Sequence, residues 1–335
     1  MIRRKVFASI GMIFSALTIM ASAAPAFAAT ATAQSGTGNA LKVSPVRSDL
    51  EIKPGSSQTI DVYVQNLSES EIKLHTIIND FVASKDESGS PNIILDENKA
   101  APVRSLKKYV TPIADFSVKP KEQHNVKVAI NIPKGADAGG YFGAVRFTPA
   151  DTASSKTLSL SASVGSLVLV KVPGDLKEQA SIASLDVRKG NDASTMFTSK
   201  KDLDGVVRIE NSGNVQVQPF GKVLLKKSGK VLATYEVNNT QPRGNVLPDS
   251  IRRFTFPMEK DLGSFGKYTL EANLGYGSKG QLITASTTFY IVPISVIIIS
   301  VLVLLIILFA IFVVPRMVKR YNENVVKKAT GAKKK

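Results

Sequence analysis

The chain of 335 residues has no cysteine, no tryptophan and only two histidines. Without cysteine there is no disulfide, no thiol nucleophile and no cysteine-built zinc site. An exported chain of this kind must hold itself together by core burial. Without tryptophan, the ring most used for stacking on sugars is missing. His75 lies in an apolar strand, Lys73-Leu74-His75-Thr76-Ile77, and His124 in a charged turn, Lys121-Glu122-Gln123-His124. A catalytic triad would need Ser and Asp converging on one of them, and no Gly-x-Ser-x-Gly elbow exists. His-Glu-x-x-His, Walker and dinucleotide fingerprints are absent too. No enzyme activity, catalytic residue, cofactor or metal is therefore expected. Asp80, Asp86, Glu87, Asp96 and Glu97 crowd one region, but their spacing fits no calcium loop and reads as a solvated acidic edge.

Charge is missing from one long stretch, Phe289 to Val314. Its proline-free part, Ile294 to Val314, is long enough as a helix to span the roughly 30 Å hydrocarbon core of a bilayer. The residues that follow are basic: Arg316, Lys319, Arg320, Lys327, Lys328 and Lys333 to Lys335 against the single acid Glu323. Such a cluster stays on the cytoplasmic side, which puts the preceding chain outside the cell. At the other end, Arg3, Arg4 and Lys5 precede an apolar run and an Ala26-Phe27-Ala28 cleavage site, the pattern of a signal peptide removed before Ala29.

The formal charge is +16. The leader holds +3 of it and the tail +7, which leaves only +6 for the exterior. That mild excess is no nucleic-acid footprint, though it favours anionic wall polymers or lipid head groups in a salt-dependent way. An exported, lysine-rich chain without cysteine also points to a bacterial surface.

Between leader and anchor, short alternating runs are bounded by Pro, Gly, Asn and Ser. Ile60, Val62 and Val64 form one buried face, and Val126, Val128, Ile130 and Ile132 another. Leu41–Pro45 with Leu50–Ile52, Ile72–Val82, Ser105–Val110, Asp115–Val118, Gly139–Phe147 (as the neighbour of the 125–132 strand) and Leu158–Val172 complete a first set of strands. A second set comprises 180–187, 205–211, a hairpin of 219–227 with 230–237 turning at Ser228-Gly229, then 252–256, 268–274 and 282–289. The fold class is all-β: two tandem immunoglobulin-like β-sandwiches followed by one transmembrane α-helix. The expected boundaries are signal peptide 1–28, flexible linker 29–40, N-terminal sandwich 41–175, C-terminal sandwich 176–288, transmembrane helix 289–315 and basic cytoplasmic tail 316–335. The polar stretch 83–104 is the longest irregular segment of the first half, and loops of that length tend to be functional or mobile. The phrases Val64-Gln65-Asn66 and Ile209-Glu210-Asn211 recur between the halves.

Two patches are candidate binding residues. Arg104, Lys107, Lys108 and Tyr109 could meet an anionic glycan through charge and a stacking ring; the same cluster also fits a charged, solvated edge strand. Tyr141 and Phe142 follow Gly139-Gly140 on opposite strand faces, so one of the two rings is a candidate for exposure.

The order of leader, two sandwiches, anchor and basic tail resembles the WxL-interacting proteins, a family of Gram-positive surface proteins. At residue level the likeness rests on Val43-Ser44-Pro45, the Lys53-Pro54-Gly55 turn, Asn66, the Gly139-Gly140 strand and Val168-Leu169-Val170 entering Pro173-Gly174. The resemblance implies a peptidoglycan-binding first domain and a host-binding second one. The resulting expectation is a non-enzymatic, single-pass protein of the cell membrane with its bulk outside, binding cell-wall polymer (peptidoglycan or an anionic polymer), surface proteins, or both. A membrane-tethered accessory subunit that helps assemble or export an envelope protein is the alternative.

Overall fold

The computed structural model describes residues 40–150 and 163–331. The leader 1–28, nearly all of the linker, residues 158–162 of the expected last strand of the first half and residues 332–335 of the tail lie outside the described residues.

Strand β1 (Leu41–Ser44) pairs with β3 (Ser57–Asn66), which pairs with β7 (Gln123–Asn131). Facing this sheet is a larger one in the order β2 (Arg47–Glu51), β9 (Val164–Val172), β8 (Gly139–Pro149), β4 (Ile72–Ala83), β5 (Pro91–Ile93), with β6 (Phe116–Val118) also on β4. Period-two alternation fills the space between them: Val62, Val64, Leu74, Val128, Ile130, Phe147 and Val170 are all fully buried there. Each such side chain contributes about 1.5–3 kcal/mol by leaving water. Pro45, which has no N–H to give a ladder, separates β1 from β2 and lets the chain change sheets. After it, β2 runs parallel to β9.

A second pair of sheets encloses a second core. One sheet is β11 (Asp192–Ala193), β10 (Ala180–Lys189), β13 (Leu203–Asn211) and β16 (Ser250–Pro257). The other is β12 (Met196–Phe197), β18 (Gln281–Ile291), β17 (Gly266–Tyr276), β14 (Phe220–Lys227) and β15 (Lys230–Val237). Val207, Ile209, Leu225, Leu270, Leu274 and Phe289 are buried between them. The β14–β15 turn has φ of 50° at Ser228 and 80° at Gly229, the left-handed pair that a two-residue hairpin needs.

Three expectations are corrected. Strand β8 is no neighbour of β7; it crosses to the opposite sheet, between β4 and β9. The segment 105–110 is not a strand but a 3-10 turn at Lys107–Tyr109, with isolated bridges from Ser105 to Phe142 and from Val110 to Ile130. Its cause is Asp80, fully buried rather than on a solvated edge, whose two carboxylate oxygens accept N–H from Lys107 and Ala101, each at 2.8 Å. Those backbone donors replace the water that Asp80 has lost, and the loop wraps around it. Finally, the apolar stretch from Phe289 begins as strand: Phe289 and Ile291 face the second core, and the helix starts at Ile294.

Helix α1 (Ile294–Phe312) is apolar on every side, and α2 (Val314–Gly331) continues from it. Within Ile294–Asn324 an 18-residue window has a mean hydropathy of 3.6 and is not covered by protein, so the helix is long and apolar enough to cross a membrane.

Candidate functional site: the joint and cleft between the sandwiches

The six residues singled out in the sequence do not form one patch. Arg104 adopts a φ of 50° and packs beside Gly139, its buried Nε without an acceptor among the described residues. Lys107 is tied to the Glu97 carbonyl. Lys108 stays exposed. The Tyr109 ring packs 5.6 Å from that of Tyr141. Tyr141 is only 3% exposed and donates its hydroxyl to the Asp137 carbonyl at 3.0 Å, with burial pushing its phenol pKa up. Phe142 lies on the opposite face of β8, 5.8 Å from Phe81. Of the two rings Tyr141 is the buried one and Phe142 is half-buried, because that outer face is partly covered as well. Phe81, Ala144 and Leu169 form a third apolar cluster with Phe142, Leu167 and Leu247, the last of these from the loop before β16.

That cluster is one part of a joint between the two sandwiches. The tip of the β4–β5 loop reaches the outer face of β13 and β16. Arg208 donates to both oxygens of Glu87, at 2.8 and 2.5 Å, and the Glu87 carbonyl accepts N–H of Arg253 at 2.8 Å. Arg208 holds the Glu87 carboxyl below its ordinary value, and Glu87 in turn raises that of the guanidinium. The neighbouring Asp86 is held at about 2 by the Ser88 N–H and the hydroxyls of Ser84 and Ser88. Arg252, from β16, packs against Gly89 and donates to the Asn245 carbonyl at 2.9 Å; burial lowers its pKa.

Asn214 supplies a second tie. Its carbonyl accepts N–H of Gly140 at 2.8 Å, while its side chain accepts from Lys177 N–H and donates to the Asp175 carbonyl, each at 2.8 Å. One residue of the second sandwich thus holds both the start of β8 and the connecting chain. On the other flank, Arg47 donates to the Arg243 carbonyl at 3.0 Å and to Asp49 at 2.7 Å.

Beside the joint is a cleft of about 510 Å³ with one wall from each sandwich. Arg104 and Phe142 line it, together with Lys85, Glu210, Asp249 and Ser250. The volume is in the ordinary range of ligand sites, about 300–1,000 Å³. Lys107, Lys108, Tyr109 and Tyr141 are not among its lining residues. Among the described residues no group of three or more His, Asp or Glu could hold a metal ion. Arg208 and Asn214 carry no mark in the sequence, and Glu87, expected on a solvated acidic edge, is instead paired with Arg208. The only signal for Arg208 is a charged residue at an outward position of β13, which solvent satisfies equally well; Glu87 and Asn214 lie in loops.

Residues 48–149, from β2 to the end of β8, match the family model described as WxL Interacting Protein, peptidoglycan binding domain. The family resemblance seen in the sequence is supported over that stretch, and a binding domain of this kind with a helix apolar enough to cross a membrane fits a cell-surface binding protein. No curated protein matches. Solved structures similar to the chain include the class 5 fimbriae chaperone CfaA, 13% identical with a TM-score of 0.34, covering 76% of this chain and 99% of that one. The CupB2 chaperone of Pseudomonas aeruginosa is 14% identical with a TM-score of 0.33, covering 73% and 98%.

Proposed function

We propose that this is a single-pass membrane protein of a bacterial surface whose N-terminal sandwich, residues 41–175, binds peptidoglycan without turnover. The observation that carries this reading is the match of 48–149 to a peptidoglycan-binding family, because that stretch supplies β3, β4, β7 and β8, the centre of the first sandwich. Helix α1 is the anchor, with the basic tail inside. The cleft is the seat for the ligand: Arg104, Lys85, Glu210, Asp249 and Ser250 suit the amides and carboxylates of a wall peptide better than a sugar face. Phe142, the aromatic ring at its base, is half-covered by protein.

The test is co-sedimentation of the detergent-solubilised chain with purified wall sacculi, stripped of anionic polymer, over a salt series. Retention that persists at high salt supports peptidoglycan recognition. Binding that disappears by moderate salt leaves only the positive charge of the exterior. No binding at any salt removes the wall-binding reading and favours a membrane-tethered accessory subunit.

A further inference from the structure

The strand ends at the foot of the second sandwich carry large apolar side chains that are exposed. Met196 is 63% exposed, Phe265 57% and Tyr290 40%. They lie together: Met196 pairs with Tyr290, and Gly266, next to Phe265, pairs with Ile291. Only Val292 and Pro293 separate Ile291 from the first residue of α1. The strand ends and loops that meet at this end carry Lys189, Lys200, Lys201, Lys227, Lys230, Lys260 and Lys267 with the acids Asp192, Asp202, Glu259 and Asp261; Lys200 donates to the Leu262 carbonyl at 2.9 Å and Lys227 to the Phe265 carbonyl at 3.0 Å. The Lys267 ammonium lies 6.0 Å from the centre of the Tyr290 ring. Of the acids, Asp261 accepts the Tyr235 hydroxyl at 2.7 Å and Glu259 the Asp202 N–H at 3.4 Å.

We propose that this foot is a lipid-docking surface, with Met196, Phe265 and Tyr290 entering the interfacial layer of an anionic phospholipid bilayer and Lys201, Lys260 and Lys267 meeting its head groups. The inference rests on the reading of α1 as a membrane anchor. The three steps from Ile291 to Ile294 span at most about 11 Å even when extended, so a helix entering the hydrocarbon brings the foot against the head groups. Aromatic rings and lysines are the side chains that settle at that level, the ring partly in hydrocarbon and the amine in water. The other end of the sandwich, with Leu282 and the β17–β18 turn, is about 30 Å away along β18.

Because the chain lacks tryptophan, a single Phe265→Trp gives one fluorophore at the foot and Leu282→Trp one at the far end. The full-length variants are reconstituted in vesicles of phosphatidylglycerol or phosphatidylcholine containing acyl chains brominated near the carbonyl. Each sample is also washed with alkaline carbonate. The expected result is at least threefold stronger quenching of the Phe265→Trp chain than of the Leu282→Trp chain. Adding Lys201→Glu, Lys260→Glu and Lys267→Glu reduces the quenching in phosphatidylglycerol by at least half and leaves it unchanged in phosphatidylcholine. If the chain resists carbonate yet both fluorophores are quenched equally, the docking surface is disproved and the anchor stands. Release by carbonate overturns the anchor reading and the docking surface with it.

Discussion

Asn66 and Asn211 hold the same position in the two sandwiches. Each is fully buried at the end of an alternating strand, and each donates its amide to the carbonyl four residues on, Ser70 at 2.7 Å and Val215 at 2.8 Å. Each donates also to a carbonyl of a distant segment, Val118 at 3.0 Å and Val246 at 2.9 Å, and each Oδ1 accepts the N–H two residues on at 2.9 Å. The recurring sequence phrase therefore marks a repeated device: one side chain closes the turn after the strand and ties it to a third segment. Replacing Asn211 by Ala strands two buried carbonyls and one N–H, at about 1–3 kcal/mol for each group left unsatisfied. Relaxation offsets part of this, so we expect a loss of about 3 kcal/mol for Asn211→Ala, and the same for Asn66→Ala, read as a shift in the urea midpoint. Asn211→Asp is expected to do no better, since it keeps the acceptor but not the donor.

Glu87 and Arg208 give the joint an acid-sensitive contact. The folded-state pKa of Glu87 is depressed, so its contribution is complete above the ordinary glutamate value of 4.5 and is lost as pH falls below it, through the lowered value. Both side chains are about a quarter exposed, 24% and 26%, so the pair contributes about 1–2 kcal/mol rather than a fully buried value. Small-angle scattering is expected to show the sandwiches loosening as the pH falls below the ordinary glutamate value, through the lowered one. Glu87→Gln produces the looser form at neutral pH and removes that pH dependence.

Gly213 follows Asn211 where the connecting chain passes closest. A Cβ there would lie 1.9 Å from the backbone oxygen of Lys177, which no side-chain rotation relieves. Gly213→Ala is expected to cost about 2–4 kcal/mol by backbone displacement. The measurement is hydrogen exchange of the Lys177 and Asn214 amides, which are both bonded across this contact.

Phe142 tests which role its ring has. Phe142→Ala is expected to lower stability by about 2–3 kcal/mol, below the usual range for a fully buried Phe because the ring is half-covered. Lys108→Glu alters an exposed residue of the originally expected patch. It should leave the unfolding midpoint within about 0.5 kcal/mol and reduce only low-salt retention on sacculi.

What could be read from the sequence was whatever one face of water enforces. Val126, Val128 and Ile130 alternate with Asn125, Lys127 and Asn131, and β7 follows from that alone. Ser228-Gly229 specified its turn. The sequence was silent where a second protein surface replaces water. Phe142 alternated correctly, yet its outward face meets Leu247, a residue more than a hundred positions away. Asp80 was read as a solvated acid because nothing local announces the two backbone donors that bury it. Phe289 and Ile291 were merged with the anchor because a period of two cannot be seen inside an unbroken apolar run. For the cleft, Arg104 and Phe142 were found for the wrong reason, and its far wall, Glu210 with 247–251, was not found.

Strand β18 is the last element before α1 and is laddered to β17 over eleven consecutive residue pairs, Gln281–Ile291 against Gly266–Tyr276. The chain enters this sandwich at Ala180, at the end away from α1, and leaves it at Ile291. Tension applied between wall and helix would thus run lengthwise through the sandwich and load those rungs side by side in shear, instead of peeling them apart in succession. With the first sandwich held by the wall and α1 by the membrane, as proposed, the load would run along β18 and not across it.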